Sequence, residues 1–267
     1  MPSSSNNRKA RYGGWALVTG GSSGIGRGFA EVLAKDGFDV VLVARDQAKL
    51  AETAGDLAAR YGVKTRIVAQ DLAVPGAARK VFDAVGDIDV GVLVNNAGTG
   101  WIGRFDKQPL ENHTRLVALH CTAPVELTAL LLPRLQARSR SAVVLVASAG
   151  GYVPLPYYAV YSGTKAFLAT WGEALAAELE GGSVDLLVVA PGDVKTNFQA
   201  VAGEMSTRWM SVEAVVTESL AALGRKTVIV PGWGDRLSVL LTRFLPRRAL
   251  IKIVAGRQRA QTPVDRR

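Results

Sequence analysis

The segments that most constrain the fold of this chain are short runs of mainly apolar residues without polar alternation. They cover residues 15–19, 40–44, 90–94, 142–147 and 184–190. Neighbouring side chains of a strand point to opposite faces, so a strand that is apolar throughout must be covered on both faces, as in a parallel sheet. Segments with helical spacing of apolar residues separate these runs. The alternation predicts one α/β domain, a doubly wound parallel sheet of about seven strands with helices on both faces.

Less regular segments complete this outline. Residues 64–69 and 227–230 are predicted as further strands, and helices are predicted over residues 47–61, 76–85, 110–138, 158–179 and 212–223. We expect the helix over 110–138 to bend or to begin again near Pro124. Residues 101–108 and 192–210 lack a clear period and contain bulky apolar residues, which predicts mobile loops over a pocket.

The length and composition suit a single domain with short extensions. The chain has 267 residues, of which 48% are hydrophobic and 21% charged, enough to bury a substantial core. Residues 1–14 are rich in Ser, Asn and Arg, and we expect them to be a flexible lead-in. Residues 15–232 should form the main domain, and residues 233–267 a basic amphipathic extension.

The cysteine and histidine content bears on metal sites and compartment. Cys121 is the single cysteine, which excludes an internal disulfide and a cysteine-based metal cluster. The two histidines, His113 and His120, lack the spacing of a zinc pair, so no metal site is expected. Residues 1–14 lack the apolar run of a secretory signal. We therefore expect the reducing cytoplasm as the compartment.

The positive charge of the chain is concentrated at one end. The net charge is +9, and residues 225–267 hold eleven basic and two acidic residues, so the rest of the chain is neutral. Apolar clusters broken by arginines within residues 237–254 predict amphipathic helices. They would lie on an anionic membrane surface or pack across a subunit interface, and a solvated tail is the alternative. Nucleic-acid binding is not expected, because no recognisable binding motif accompanies the charge.

A glycine-rich turn follows the first predicted strand. Residues 19–26 read Thr-Gly-Gly-Ser-Ser-Gly-Ile-Gly and lead into a predicted helix. Glycines at such a turn let the backbone approach a pyrophosphate at the helix N-terminus, as in Rossmann-type dinucleotide sites. Taken alone, the cluster is also compatible with an ordinary strand-to-helix turn.

The end of the second predicted strand bears on the choice of dinucleotide. An acidic residue there favours NAD, and an arginine favours the 2′-phosphate of NADP. The strand ends Val43-Ala44-Arg45, with no carboxylate at Ala44. NADP is therefore favoured and NAD stays open, because Asp46 follows directly and Arg45 could instead be a solvated residue at a helix start.

Tyr161 and Lys165 supply the chemistry that the dinucleotide would need. Residues four apart on a helix share a face, so the ammonium of Lys165 would lie beside the phenol of Tyr161. A nearby positive charge lowers the pKa of a phenol from about 10 toward the working range of a general acid/base. Ser148 follows an apolar strand ahead of this pair. The three residues together indicate a hydride-transfer enzyme.

These motifs resemble those of the short-chain dehydrogenase/reductase family over roughly residues 15–231. The family pattern Thr-Gly-x-x-x-Gly-x-Gly is matched by residues 19–26, Asn-Asn-Ala-Gly by residues 95–98, and Tyr-x-x-x-Lys by residues 161–165. The catalytic serine of the family falls on Ser148, and its Pro-Gly stretch on Pro191 and Gly192. Within the family, the residues around Tyr161 are most similar to a bacterial branch of NADP-dependent oxidoreductases.

The resemblance implies a role for each matching residue. Tyr161 would exchange a proton with the substrate oxygen, Ser148 would hold that oxygen, and Lys165 would also bind the nicotinamide ribose. Asp71 resembles the adenine contact of the family, and Thr196 its nicotinamide contact. The implied cofactor residues are Gly20, Ser22, Ser23, Gly24, Ile25, Gly26, Arg45, Asp71, Leu72, Asn95, Ala97, Gly98, Tyr161, Lys165, Pro191, Gly192, Val194 and Thr196. Singly, Ser148, Asp71 and Asn95 are also compatible with a turn residue, a helix cap and a strand terminator.

The sequence departs from the family pattern at His120. Many members have an asparagine there, which supports a water-linked proton path, and a histidine can also hold a water and relay a proton. We therefore include His120 among the candidate catalytic residues with Ser148, Tyr161 and Lys165. The alternative is a buried core histidine with satisfied hydrogen bonds.

The surroundings of the expected site are apolar. They contain Trp101, Ile102, Tyr152, Val153, Pro154, Leu155, Pro156, Tyr157, Phe198, Met205, Trp209 and Met210. The sequence therefore predicts an NADP(H)-dependent oxidoreductase that acts on a hydrophobic carbonyl or secondary alcohol. The alternatives are a cofactor-binding regulatory or scaffold protein with little turnover, and a membrane-recruited partner protein. The resemblance also implies a homodimer or tetramer.

Overall fold

Seven parallel strands form one sheet in the computed structural model, which describes residues 5–196, 210–242 and 244–261. The strands are β1 (Trp15–Thr19), β2 (Asp39–Ala44), β3 (Thr65–Ala69), β4 (Val90–Asn95), β5 (Ser141–Val146), β6 (Val184–Val189) and β7 (Val228–Ile229). Their order is β3-β2-β1-β4-β5-β6-β7. The predicted doubly wound sheet of about seven strands is confirmed.

The strand order reverses at β1, which has β2 on one side and β4 on the other. Trp15 pairs with Asp39 and Thr19 with Val43 on the β2 side, and Val18 pairs with Val94 on the β4 side. In open parallel sheets a crevice forms beyond the carboxyl ends of the strands at such a reversal. The glycine-rich turn after Thr19 therefore lies at the position where this fold binds ligands.

Ten α-helices cover the sheet and extend from it within the described residues. They are α1 (Ser5–Tyr12), α2 (Gly24–Lys35), α3 (Gln47–Tyr61), α4 (Ala77–Ala84), α5 (Leu110–Val117), α6 (Ala123–Gln136), α7 (Ala159–Glu178), α8 (Val212–Ala222), α9 (Trp233–Thr242) and α10 (Arg247–Gln261). Short 3-10 turns occupy Phe105–Lys107 and Ala149–Gly151. The expected loop over 101–108 thus contains one turn of helix, and residues 197–209 of the other expected loop lie outside the described residues.

Two separate apolar layers hold the helices against the sheet. Val40 and Leu42 point into one layer, and Val41 and Val43 into the other; all four are fully buried. Burying an aliphatic side chain of this size contributes about 1.5–3 kcal/mol. Strands that bury both sets of side chains are stable only with helices on both faces, which explains their apolar sequences.

The lead-in expected over residues 1–14 is wrong for the part that the structure describes. Ser5–Tyr12 is helical, and the side chain of Tyr12 is only 1% exposed. Tyr12 donates its hydroxyl to the Asp185 carboxylate at 2.9 Å, and Arg11 donates to the same oxygen at 2.7 Å. Arg8 pairs with Asp36 at 2.6 Å. The segment is polar because its partners are carboxylates on distant elements, and composition alone cannot reveal such partners.

The predicted interruption of the fifth helix is present as a π-helical turn. Ala118–Thr122 separates α5 from α6, and the N–H of Ala123 bonds to the carbonyl of Ala118, five residues back. Pro124 follows and has no N–H to offer, which weakens the regular ladder at this point. The turn shifts the side chains of the segment, and His120 lies within it.

The combined helix Leu110–Gln136 is long and apolar enough to cross a membrane by length and composition. Its apolar side chains are nevertheless used in the core. Leu127, Leu131 and Leu135 are buried in the layer that contacts β4 and β5. A core helix of a soluble domain meets the same length and composition criteria, so this helix is weak evidence for a membrane span.

Candidate active site

The glycine-rich turn adopts a conformation that depends on its glycines. Gly20 has φ of +68°, a left-handed value that favours glycine, and its N–H donates to the carbonyl of Val43 at 2.7 Å. A Cβ at Gly26 would collide with the carbonyl oxygen of Gly20 and the amide of Asn96. Gly20 therefore makes the turn, and Gly26 lets α2 pack tightly against it.

The ends of β1 and β4 are held together by Thr19 and Asn96. Thr19 Oγ1 donates to the carbonyl of Val94 and accepts the N–H groups of Asn96 and Ala97 at 2.9 and 3.0 Å. Asn96 Nδ2 donates to the carbonyl of Thr19 at 2.9 Å. These bonds fix the glycine-rich turn relative to the neighbouring strand.

The structure distinguishes the two neighbouring asparagines. The predicted cofactor residue Asn95 donates its amide to Thr128 Oγ1 at 3.0 Å in the core, and it does not line the large cleft. Asn96, which was not among the candidates, lines that cleft. Alternation along a strand predicts that the two side chains diverge, but it does not tell which one faces the cleft.

Tyr161 and Lys165 lie on α7, and Ser148 lies directly after β5. Lys165 Nζ is 5.9 Å from the centre of the Tyr161 ring and donates to the carbonyl of Val146 at 2.8 Å. Burial disfavours the charged amine and lowers the pKa of Lys165 to about 8. Ser148 Oγ accepts the N–H of Gly150 at 3.0 Å, which fixes its side chain. The three groups face one cleft, as the sequence predicts.

His120 is held by protein groups on both sides of its ring. Nε2 accepts the N–H of Thr99 at 3.1 Å, so the ring proton is on Nδ1, which lies 2.9 Å from Thr164 Oγ1. Thr164 in turn donates to the carbonyl of Tyr161 at 2.8 Å. Burial, together with the charge of Lys165, holds the pKa of His120 well below its ordinary value.

The neutral ring of His120 therefore links the loop at Thr99 to the helix that carries Tyr161. The two aromatic rings also meet edge to face, with centroids 5.8 Å apart. This geometry favours the buried, hydrogen-bonded interpretation of His120, and its proton-relay role stays a prediction.

Arg45 and Asp46 have different environments at the far end of the cleft. Asp46 caps α3 by accepting the N–H of Lys49 at 3.1 Å, and it pairs with the ammonium of Lys49 at 3.4 Å. The cap hydrogen bond lowers the pKa of Asp46. Arg45 is exposed and lines the cleft. The carboxylate that weakens the NADP prediction is thus already engaged in a helix cap.

Asp71 follows β3 and is anchored before any ligand binds. Its Oδ1 accepts the N–H of Ala73 at 3.0 Å, and its Oδ2 lies 2.5 Å from Arg115. Burial alone would raise the pKa of Asp71, but the hydrogen bonds from Arg115 and Ala73 and the charge of Arg45 outweigh it and lower the pKa. The carboxylate stays ionised at the cleft wall.

A single cleft of about 950 Å³ lies at the carboxyl ends of the strands and unites these groups. All predicted site residues line it except Gly26 and Asn95. Of the expected apolar residues, Val153 and Leu155 line it too. The others that the structure describes do not: Trp101, Ile102, Tyr152, Pro154, Pro156, Tyr157 and Met210. Phe198, Met205 and Trp209 lie outside the described residues. Small-molecule and cofactor sites typically measure about 300–1,000 Å³, so the cleft is large enough for a dinucleotide and a substrate.

The C-terminal extension supplies one wall of this cleft, which the sequence did not predict. The residues involved are Asp235, Ser238, Val239 and Thr242 from α9, and Leu250, Val254 and Gln258 from α10. Their spacing of three and four residues is a helical stripe, so the pattern alone indicates a buried face. The sequence does not show that the face is buried against the active site.

The family model for short chain dehydrogenase matches residues 14–207. The chain belongs to the short-chain dehydrogenase family. A short-chain dehydrogenase is an oxidoreductase, and the arrangement of Ser148, Tyr161 and Lys165 around one cleft agrees with that activity.

Two relatives of this chain share the name very-long-chain 3-oxoacyl-CoA reductase. The protein from Phaeosphaeria nodorum is 33% identical over 96% of this chain and 79% of its own. The Mus musculus protein is 30% identical over 92% of this chain and 80% of its own.

Two solved structures share the fold of this chain. A 7beta-hydroxysteroid dehydrogenase structure is 28% identical, covers 92% of this chain and 98% of its own, and has a TM-score of 0.84. A short-chain dehydrogenase from Sphingobium yanoikuyae in complex with NADPH is 30% identical, covers 89% of this chain and 94% of its own, and has a TM-score of 0.76.

Proposed function

We propose that this short-chain dehydrogenase transfers a hydride between NADP(H) and a hydrophobic carbonyl or secondary alcohol. The observation that carries the proposal is the shared cleft, in which Tyr161, Lys165 and Ser148 face the same space as the glycine-rich turn and Arg45. One end of the cleft is suited to a dinucleotide, and the other contains a proton-transferring phenol.

The residues at the dinucleotide end fit NADP. The left-handed Gly20 and the start of α2 at Gly24 leave backbone N–H groups available to a pyrophosphate. Arg45 offers a positive charge at the end of β2, where a 2′-phosphate would lie, while Asp46 is occupied by its helix cap. The NADPH complex of the relative from Sphingobium yanoikuyae supports the same choice.

The proton transfer falls to residues of this chain. When bound, the dinucleotide supplies the hydride. Tyr161 donates its phenolic proton to the carbonyl oxygen during reduction or removes a proton from the alcohol during oxidation, and Ser148 holds that oxygen by a hydrogen bond. Lys165, at 5.9 Å from the Tyr161 ring, favours the phenolate that each cycle must form. The bond from Lys165 to the carbonyl of Val146 holds the amine in place.

The substrate end supports a carbonyl compound with a long apolar part. Val153 and Leu155 from the catalytic domain line the cleft, as do Val239, Leu250 and Val254 from the extension. The curated relatives are named very-long-chain 3-oxoacyl-CoA reductases. We therefore include 3-oxoacyl thioesters with long chains among the substrates of the proposed reaction.

A subunit contact is also proposed, through the helices near His120 and Tyr161. Val117 on α5 and Phe167 on α7 are exposed, and the Phe167 ring stacks on Trp171 with centroids 6.0 Å apart. An exposed apolar surface of this kind is suited to a second copy. Light scattering of the purified protein tests the homodimer or tetramer.

The catalytic proposal is tested by following NADPH oxidation with a panel of lipophilic ketones and 3-oxoacyl thioesters of increasing chain length. We expect turnover with at least one class, and Tyr161→Phe should lower it about 10²–10⁴-fold. Calorimetry should show that Tyr161→Phe still binds NADPH. NADPH binding without turnover of any compound, or equal turnover by the variant, would contradict the proposal.

A further inference from the structure

The outward face of α9 is apolar, although a helix on the surface of a soluble domain normally turns its polar side to water. Of the twelve exposed large hydrophobic side chains in the part of the chain that the structure describes, seven lie between residues 233 and 253. They are Trp233, Leu237, Leu240, Leu241, Phe244, Leu245 and Ile253. Trp233 is 81% exposed, and it starts a stripe spaced by three and four residues.

The opposite face of the same helix forms part of the active-site wall. Ser238, Val239 and Thr242 of α9 line the active-site cleft, and Leu250 and Val254 of α10 line it beside them. Turning the helix to bury the apolar stripe would remove this wall from the cleft. The apolar stripe must therefore stay on the outside of the folded enzyme, where a binding partner can cover it.

Positive charge surrounds this apolar stripe. Arg247, Arg248, Lys252 and Arg259 of α10 are all exposed. Arg236 on α9 is exposed too, but it pairs with Glu218 at 3.8 Å. Residues 225–267 hold eleven basic and two acidic residues, while the rest of the chain is neutral. A second copy docked through the same face would bring two strongly positive surfaces together, which like-charge repulsion opposes.

An anionic bilayer complements both properties. Each Lys or Arg near such a surface is attracted to it, and each methylene of a side chain inserted into the bilayer leaves water. Tryptophan at the start of the stripe is also the residue type that prefers the membrane–water interface. Apolar groups beside flexible cations are the usual composition of helices that lie in the plane of a membrane.

We propose that the outward faces of α9 and α10 dock on an anionic lipid bilayer and place the cleft beside it. One helix, about 10 Å thick, separates the bilayer from the active site. A lipophilic carbonyl compound can then pass from the membrane into the cleft with little exposure to water. This last step rests on the proposed function, whereas the docking itself does not.

Flotation with vesicles tests the docking without any turnover. The full-length protein should float with phosphatidylcholine vesicles containing phosphatidylglycerol, and float far less with phosphatidylcholine alone or at high salt. The double variant Trp233→Ser, Leu237→Gln should bind about tenfold more weakly or worse. Arg247→Gln, Arg248→Gln, Lys252→Gln should also weaken binding.

The control is Leu110→Gln, because Leu110 is a 69% exposed leucine outside this surface, and its variant should float like the wild type. None of the substituted residues lines the cleft, so turnover of a water-soluble ketone should be unchanged in every variant. Equal flotation of the wild type and the Trp233, Leu237 variant would overturn the docking. If the wild type does not bind vesicles but forms a dimer that the same double substitution dissociates, the surface binds a second copy of the chain and the membrane proposal is overturned.

A second assay separates docking from the proposed chemistry. The Trp233, Leu237 variant should reduce a vesicle-embedded ketone more slowly than the wild type but a soluble ketone at the same rate. If the wild-type protein floats with the vesicles but reduces neither ketone, the proposed function alone is refuted. If the variant reduces the vesicle-embedded ketone as fast as the wild type does, the substrate is not delivered from the membrane through this surface.

Discussion

Lys165 should destabilise the folded protein near neutral pH, and replacing it should show this directly. The side chain is 5% exposed, and burial lowers its pKa from 10.5 to about 8. An unfolded chain binds the lysine proton up to the higher pKa, so between about pH 8 and 10.5 the unfolded state binds more protons than the native state. The destabilisation is therefore fully present below about pH 8 and declines as the pH rises toward 10.5.

The size of the effect follows from the shift. A difference of about 2.5 pKa units corresponds to about 3 kcal/mol at pH 7, of which about 2 kcal/mol is relieved by pH 9.5. In Lys165→Met the side chain keeps its volume and carries no charge at any pH. The stability of this variant relative to the wild type should thus fall by about 2 kcal/mol between these two pH values.

Urea unfolding of both proteins without nucleotide, at a series of pH values, measures this difference. The variant also loses the hydrogen bond to the carbonyl of Val146. This loss lowers its unfolding free energy equally at every pH and does not affect the change between pH 7 and pH 9.5. Titrating groups that do not interact with Lys165 are common to both proteins and cancel too. A difference in unfolding free energy that stays constant from pH 7 to pH 9.5 would refute the claim that the amine is buried at a cost.

Three further substitutions test other parts of the site. Arg45→Ala should raise the KM for NADPH about tenfold and leave that for NADH nearly unchanged, because a hydrogen bond to a charged group is lost; equal effects on both nucleotides would remove Arg45 from phosphate recognition. Gly26→Ala should lower the unfolding free energy by about 1–3 kcal/mol, because the new Cβ would collide with Gly20. Gly55→Ala is the control on an open helix face and should raise the unfolding free energy by about 0.5–1 kcal/mol. Urea unfolding measures both. His120→Ala should lower kcat more than it raises KM. The pH profile of kcat should keep its shape between about pH 6 and 8, because the buried ring is already neutral. An inflection that is present in the wild type and lost in the variant would show that the ring titrates during turnover.

The sheet and the proximity of Tyr161 and Lys165 could be predicted because each depends on short stretches of sequence. Val40 to Val43 are apolar at consecutive positions, which only a doubly covered strand explains, and one helical turn sets the spacing of Tyr161 and Lys165. Contacts between distant segments were not predictable in this way. Asp185 lies 173 residues from Tyr12, and no local pattern indicates that the two side chains meet.

The environments of two predicted site residues could not be read from the sequence, because they depend on packing. Asn95 is the last residue of β4 and donates to Thr128 in the core, whereas Asn96 directly after it lines the cleft. The ring of His120 is satisfied by Thr99 and Thr164, both of which approach from other segments. The position of α9 and α10 against the cleft is likewise a tertiary property that their amphipathic pattern does not contain.

The wall contributed by α9 and α10 has a consequence for how the protein forms during translation. All seven strands precede these helices in the chain, so the ribosome releases the glycine-rich turn, Tyr161 and Lys165 before the residues that close the substrate end. A nascent chain can thus assemble its nucleotide half while the other half is still open. Nucleotide captured at that stage would stabilise the growing domain, and selectivity among substrates would arise only after the final helices fold into place.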